Sequence, residues 1–329
     1  MDLFRTTTPN IKFPFHLNHE NRVLSIGSCF SDHIGSRLIN YKFECLLNPF
    51  GILYNPISIG KNLTMALDGY QFSEQDVFRY EDHWHSYNHP GRFSRPNQAD
   101  LLKGLQTTSE AVNQYLDGTN RILCTLGSSM VYVNEEFGEV VANCHKLPAD
   151  RFSRYRLSIE EVVESLRNPF QRIKAQNPDL EIVLTVSPVR HIRDGMHVNQ
   201  KSKAVLLLAI EALSKLLPYV HYFPAYEIQL DDLRDYRFYN SDMLHPNETA
   251  INYIWNHVEQ ALFANETQAL NKQLRQILAA VHHRPLRPES PEHQAFIHTT
   301  LEKINRLETD HPKISLEKER GILRQALVD

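Results

Sequence analysis

Only four cysteines, Cys29, Cys45, Cys124 and Cys144, occur in 329 residues, and no two form a CxxC pair. Their scarcity excludes a disulfide-stapled scaffold and a structural zinc site of the usual spacing. Long apolar runs are also missing. AVLLLAI at 204–210 is far below the roughly 18–20 residues that a membrane span needs. Neither sign of charge dominates, since 35 basic residues face 39 acidic ones, so nothing draws the chain toward nucleic acid or an anionic membrane. The N-terminal stretch lacks a basic segment followed by an apolar one, so no secretory leader is expected and a cytoplasmic location is. What the chain does have is 42% hydrophobic residues. That is enough core for one large domain with an appendage, or for two domains.

Apolar runs of strand length alternate with amphipathic stretches. Residues 22–26, 121–126, 180–186 and 219–223 read as buried strands, each stopped by glycine, serine or proline. Helices are expected from Ser31 to Tyr41, with Ser31 as candidate N-cap, and at about 98–117, 158–177, 200–217 and 248–263. Strands separated by helices of this length predict parallel β-α-β units and an α/β sandwich. Residues 77–95 and 131–143 break the alternation as hairpin-like excursions. Such insertions often cover the edge where the carboxyl ends of the strands gather ligands. After Ala264 the character changes to three amphipathic stretches, the last at 316–328, interrupted by RPLRPESP at 284–291. The expected division is therefore 1–264 and 265–329, with the tail as a helical packing or homo-oligomerisation element.

The sharpest local feature is Gly27-Ser28-Cys29-Phe30-Ser31, between the first strand and the first helix. A hydroxyl on that turn stands near the positive end of a helix dipole, where backbone N–H groups can hold a developing oxyanion. The alternative is an ordinary Gly-Ser turn with a capping serine. Far along the chain, Asp242-Met243-Leu244-His245-Pro246 precedes the 248–263 helix. An aspartate three residues before a histidine can fix the imidazole tautomer and stabilise its cation, the orienter–base half of a hydrolytic triad.

The run SIGSCFSDHIG resembles the signature of the GSCFA family, a branch of the SGNH/GDSL hydrolase superfamily. NPFGILYNPISI at 48–59, TLGSSMVY at 125–132, ANCHKLP at 142–148, SPVRH at 187–191 and DMLHP at 242–246 are similar to further blocks of that family, in order, over roughly residues 20–260. The resemblance implies a flavodoxin-like three-layer α/β/α sandwich with a parallel sheet; the C-terminal helical extension lies outside it. It implies Ser28 as nucleophile, Asp242 as orienter and His245 as base. It also implies an oxyanion hole made by the N–H groups of Ser28 and Gly51 and by an asparagine amide. The third block here is Gly127-Ser128-Ser129-Met130, without that asparagine. Asn143, after the second excursion, is the expected substitute, with the Ser129 hydroxyl as the alternative.

Cys29 is also nucleophilic, but beside a serine that faces the site it is expected to turn into helix–sheet packing. His83 and His85 could share one face of a strand as metal ligands, yet no nearby acid or cysteine completes a typical set. A substrate-lining surface of aromatic rings and imidazoles is the preferred reading of His85, His89 and His145. Arg190 and His191 follow the third strand and could bind a carboxylate, a phosphate or glycan hydroxyls; ordinary solvated loop charges are the alternative. The expected function is a serine-dependent hydrolase of a small-molecule or glycan ester, such as an O-acyl carbohydrate, working through an acyl-enzyme without metal or organic cofactor. Acyl transfer to another alcohol, or a catalytically idle carbohydrate- or partner-binding protein on the same fold, are the alternatives.

Overall fold

In chain order the main elements begin with β1 (Arg22–Gly27), α1 (Cys29–Asn40), β2 (Glu44–Leu47) and α2 (Pro56–Leu67), in a computed structural model that describes residues 6–9 and 11–327. The first excursion holds β3 (Phe78–Tyr80) and β4 (His83–His85), followed by α3 (Gln98–Leu116) and β5 (Arg121–Leu126). The second holds β6 (Met130–Asn134) and β7 (Glu139–Val141), and β8 (Phe152–Arg156) returns to pair with β6. Next come α4 (Ile159–Gln176), β9 (Glu181–Val186), α5 (Met196–Leu216), β10 (Val220–Tyr222), the short α6 (Ala225–Glu227) and α7 (Glu248–Leu262). The tail contributes α8 (Asn265–Val281), α9 (Pro291–Asp310) and α10 (Glu317–Gln325). No helix among the described residues is long and apolar enough to cross a membrane.

The five-stranded sheet is parallel throughout, in the order β2-β1-β5-β9-β10. This is the flavodoxin-like order, and its direction of winding reverses beside β1. Alternation along the strands assigns the two faces. Leu24, Ile26, Ile182 and Leu184 join one apolar cluster with side chains of α2, α3, α4 and α5. Val23 and Val183 point the other way, into a cluster with Phe30 and Leu38 of α1 and Ile254 and Trp255 of α7. The result is an α/β/α sandwich whose carboxyl edge carries the turns after β1, β5 and β9.

All four expected strands form, and so do the helices between them. The first helix starts two residues earlier than expected. Ser28, not Ser31, is its cap, while the Ser31 hydroxyl donates inward to the Ile26 carbonyl at 3.0 Å. The tail helices build no core of their own, because Leu274, Ile277, Ile304 and Leu323 sink into the cluster of α1 and α7. A Lys42–Glu319 ion pair of 2.7 Å fastens α10 to the chain just after α1. The last helix stops at Gln325, and Val328, its expected end, lies outside the described residues.

Candidate active site at the carboxyl edge of the sheet

The turn after β1 is held by glycine geometry and buried amide contacts. Gly27 has φ +131°, and a Cβ there would lie 2.1 Å from the Thr125 carbonyl oxygen, so no other residue fits without backbone movement. The Ser28 N–H donates to that same carbonyl at 3.0 Å. Asn48, which is buried, accepts the Gly27 N–H at 2.9 Å and donates to Asp32 at 2.6 Å. Nothing in the sequence singles out Asn48 for this work; only its place at the head of the Asn48-Pro49-Phe50-Gly51 block points toward it.

On this turn the structure reverses the expected orientation of two neighbours. The Ser28 side chain is 0% exposed, and its Oγ accepts the Phe30 N–H at 3.4 Å as the cap of α1. Cys29 is partly exposed and belongs to neither of the two main apolar clusters. The early helix start is the cause: residue 28 becomes the cap and folds back on the helix, while residue 29 is the first helical position and turns outward.

The second arm is the loop before α7. One Asp242 oxygen accepts the N–H groups of Leu244 at 2.9 Å and His245 at 3.0 Å, and the other meets His245 Nδ1 at 2.5 Å. The two backbone N–H groups, then the imidazole, hold the Asp242 carboxyl down at about 2. With Nδ1 committed to Asp242, His245 Nε2 makes no hydrogen bond among the described residues. Arg190 is not a free ligand group here. Its guanidinium donates to the Met243 carbonyl at 2.8 Å and lies over the Tyr239 ring at 4.8 Å, fastening this loop to the β9 turn.

Ser28 and His245 are not hydrogen-bonded to each other. His191, on the turn after β9, packs its ring edge-on to Tyr54 at 5.4 Å. Burial, then the nearby charges of Lys203 and His245, press the His191 imidazole down to about 4. His33, one turn into α1, also lies within the field of His245. Lys203 of α5 is 1% exposed and reaches the edge from below. Its ammonium donates to the carbonyls of Gly127 at 2.7 Å and Ser187 at 2.8 Å, tying the turns after β5 and β9 together. A lysine inside an apolar helix pattern gives no sequence signal of such a role.

The expected oxyanion donors are placed less favourably. The Gly51 N–H is spent on the Asn48 carbonyl at 2.9 Å, in a turn with φ +84° at the glycine. Asn143 turns its side-chain oxygen onto the His145 N–H at 2.7 Å and makes no hydrogen bond to Ser28. Ser129 is fully buried and bonded to Ser202 through both its N–H and its hydroxyl, so its hydroxyl is committed away from the site. The Ser28 N–H is likewise spent, on the Thr125 carbonyl at 3.0 Å, and the N–H groups that open α1 at Cys29 and Phe30 stand at the site in its place.

Three of the expected substrate-binding histidines belong instead to the packing of the excursions. His89 is 1% exposed, surrounded by Phe50, Phe72 and Phe93, and burial drives its imidazole down to about 3. His85 spends its nitrogens on Ser94 and the Tyr80 carbonyl, and its ring lies 4.6 Å from that of His145. His145 in turn meets the Ser86 carbonyl at 2.8 Å. No three His, Cys, Asp or Glu side chains among the described residues are grouped to hold a metal ion. Nearer the edge, a cavity of about 180 Å³ opens beside Tyr54, Ser128, Tyr132, His191, Arg193 and Asn199.

Among solved structures, the chain is similar to a Streptococcus pneumonia protein provisionally described as a platelet activating factor, at 14% identity over 73% of this chain and 82% of that one, with a TM-score of 0.37. It is also similar to an acetyl xylan esterase from the rumen bacterium Butyrivibrio proteoclasticus, at 15% identity over 54% of this chain and 44% of that one, with a TM-score of 0.25. No curated protein shows significant similarity to it. Residues 22–258 match the GSCFA family, and residues 274–329 match the C-terminal domain of GSCFA domain proteins. Sheet edge, turn and Asp-x-x-His loop thus all fall inside one family match, and the chain belongs to the GSCFA family.

Proposed function

We propose that this protein is an SGNH-type hydrolase of esters that works through an acyl-enzyme. The observation that carries the reading is the 2.5 Å contact between Asp242 and His245 Nδ1, which leaves Nε2 as the acceptor for a nucleophile's proton. The nucleophile comes from the β1–α1 turn, where Ser28 and Cys29 are adjacent at the start of a helix whose N–H groups can receive the oxyanion. His245 takes the proton as the carbonyl is attacked and gives it to the departing alcohol. Asp242, ionised, balances the imidazolium. The cavity beside Tyr54 is lined by phenol, amide, hydroxyl and guanidinium groups, which suits a polar, hydroxyl-bearing ester such as an acylated carbohydrate.

A panel of short-chain nitrophenyl and acetylated sugar esters tests this reading. Turnover that disappears in His245→Ala supports it. An unaltered rate in that variant, with the fold confirmed by circular dichroism, would reject it in favour of a binding protein on the same scaffold.

A further inference from the structure

Two side chains on the β1–α1 turn have nucleophilic atoms, and their surroundings differ in every respect that matters for attack. Ser28 is sealed and committed to capping α1. Cys29 is partly exposed, and the N–H groups of Cys29 and Phe30 approach its sulfur. A second observation concerns Lys203, which the acyl-transfer scheme leaves without a task. It is 1% exposed, forms no ion pair among the described residues, and lies in the electrostatic field of Cys29. Burial lowers its ammonium to about 7; two carbonyls accept its hydrogen bonds, and the one ionisable group that favours its charge is Cys29. A buried cation without a counter-charge is costly to keep. An anion that forms within its field during reaction offsets part of that cost.

We infer that Cys29, not Ser28, supplies the nucleophile of the proposed ester hydrolase, with Lys203 as a positioning cation for its thiolate. The inference rests on the hydrolase reading and sharpens it. The Cys29 thiol proton passes to His245 Nε2 while sulfur bonds to the ester carbonyl carbon. The bond from that carbon to the alcohol oxygen then breaks, and the alcohol leaves with the proton from His245. Water, deprotonated by the same imidazole, adds to the thioester; the carbon–sulfur bond breaks and the sulfur recovers a proton. Burial and the charge of Asp32 hold the resting thiol above its ordinary range. It therefore rests protonated and depends on His245 as base, unlike a standing thiolate.

The test uses the full-length protein with nitrophenyl acetate, following turnover and, after acid quench, the site of acetylation by peptide mass mapping. Cys29→Ala is expected to lower turnover by about 10³-fold or more. Any trapped acetyl group is expected on Cys29 and should be released by neutral hydroxylamine, as thioesters are. Cys29→Ser provides a second, near-isosteric variant should the alanine fold poorly. Ser28→Ala should keep most of its turnover once the loss of a helix cap is allowed for, and should still acetylate at Cys29. Acetylation at Ser28, or undiminished turnover in Cys29→Ala with loss in His245→Ala, would overturn the cysteine assignment and leave the hydrolase reading standing. Turnover indifferent to His245 would remove both. For Lys203, the readout is the rate of iodoacetamide alkylation of Cys29 relative to Cys144 in the same chain. Lys203→Met should slow Cys29 alone; equal slowing of both cysteines would reduce the lysine to a structural support.

Discussion

The β1–α1 turn is fixed by glycine geometry, backbone carbonyls and a buried asparagine, whereas the Asp242–His245 loop is half exposed and held by the Asp242 carboxylate, by Arg190 and by backbone bonds such as the Asn240 N–H to the His245 carbonyl. The first arm presents a group that must not move, because an oxyanion donor is useful only when already aimed. The second presents a base that must reach the nucleophile, release a proton to a leaving group and return. The absence of a hydrogen bond between the arms fits this division, since catalytic contacts often tighten only when substrate arrives. Damage to the supports of the turn, as opposed to its nucleophile, should therefore appear as lost stability, and damage to the loop as lost turnover with the fold intact.

Loss of the nucleophile aside, the largest expected effect is on the exposed arm. His245→Ala removes the base and should lower ester turnover by about 10³-fold, with unchanged circular dichroism. Asp242→Asn keeps the shape but favours the wrong imidazole tautomer, and its turnover should fall by about 10²-fold. On the rigid arm, Asn48→Ala strands the buried Gly27 N–H and removes the donor to the partly exposed Asp32 carboxylate. It should cost about 2 kcal/mol of stability by denaturant unfolding. Arg190→Met keeps an apolar side chain against the Tyr239 ring but removes the guanidinium from that ring and from the Met243 carbonyl, so turnover should fall by about threefold to tenfold. Stability close to wild type is expected for that variant. If it unfolds instead, the loop is part of the core and the contrast between the arms fails.

The smallest effect concerns pH. The Asp242 carboxyl is held well below the ordinary aspartate range, so its folded-state interactions are fully present above the unfolded value near 4. They are lost only as pH falls through about 2. The stability difference between wild type and Asp242→Asn should accordingly stay level from pH 8 to about pH 5 in thermal melts. A difference that collapses within that range would show that the carboxylate is not held as described.

Much of this contrast was legible in the sequence, but unevenly. Near-continuous apolar runs such as RVLSIG and EIVLTV mark the strands because both faces of the sheet are buried. β2, reading ECLL, is too short and too exposed to give such a pattern, and β8 alternates polar residues over a small sheet of its own. The Asp242–His245 pair was readable because its geometry is local, within three residues. Long-range contacts were not: Asn48 on Gly27, Arg190 on Met243 and Lys203 on two strand ends are properties of the assembled edge. The orientation of Ser28 and Cys29 turned on where α1 begins, and helix starts are hard to fix to the residue when several serines compete for the cap. His85, His89 and His145 looked like a binding surface because they cluster with aromatic residues. The same clustering packs the excursions together.

The central claim is that Asp242 acts on chemistry only through His245, and a double-mutant cycle measures this directly. Ester turnover is compared for wild type, Asp242→Asn, His245→Ala and the double variant, each confirmed as folded. With its imidazole gone, Asp242 has nothing to orient, so the double variant should be no slower than His245→Ala alone. Losses that multiply across the two substitutions would contradict the account, because they would show the two residues acting independently.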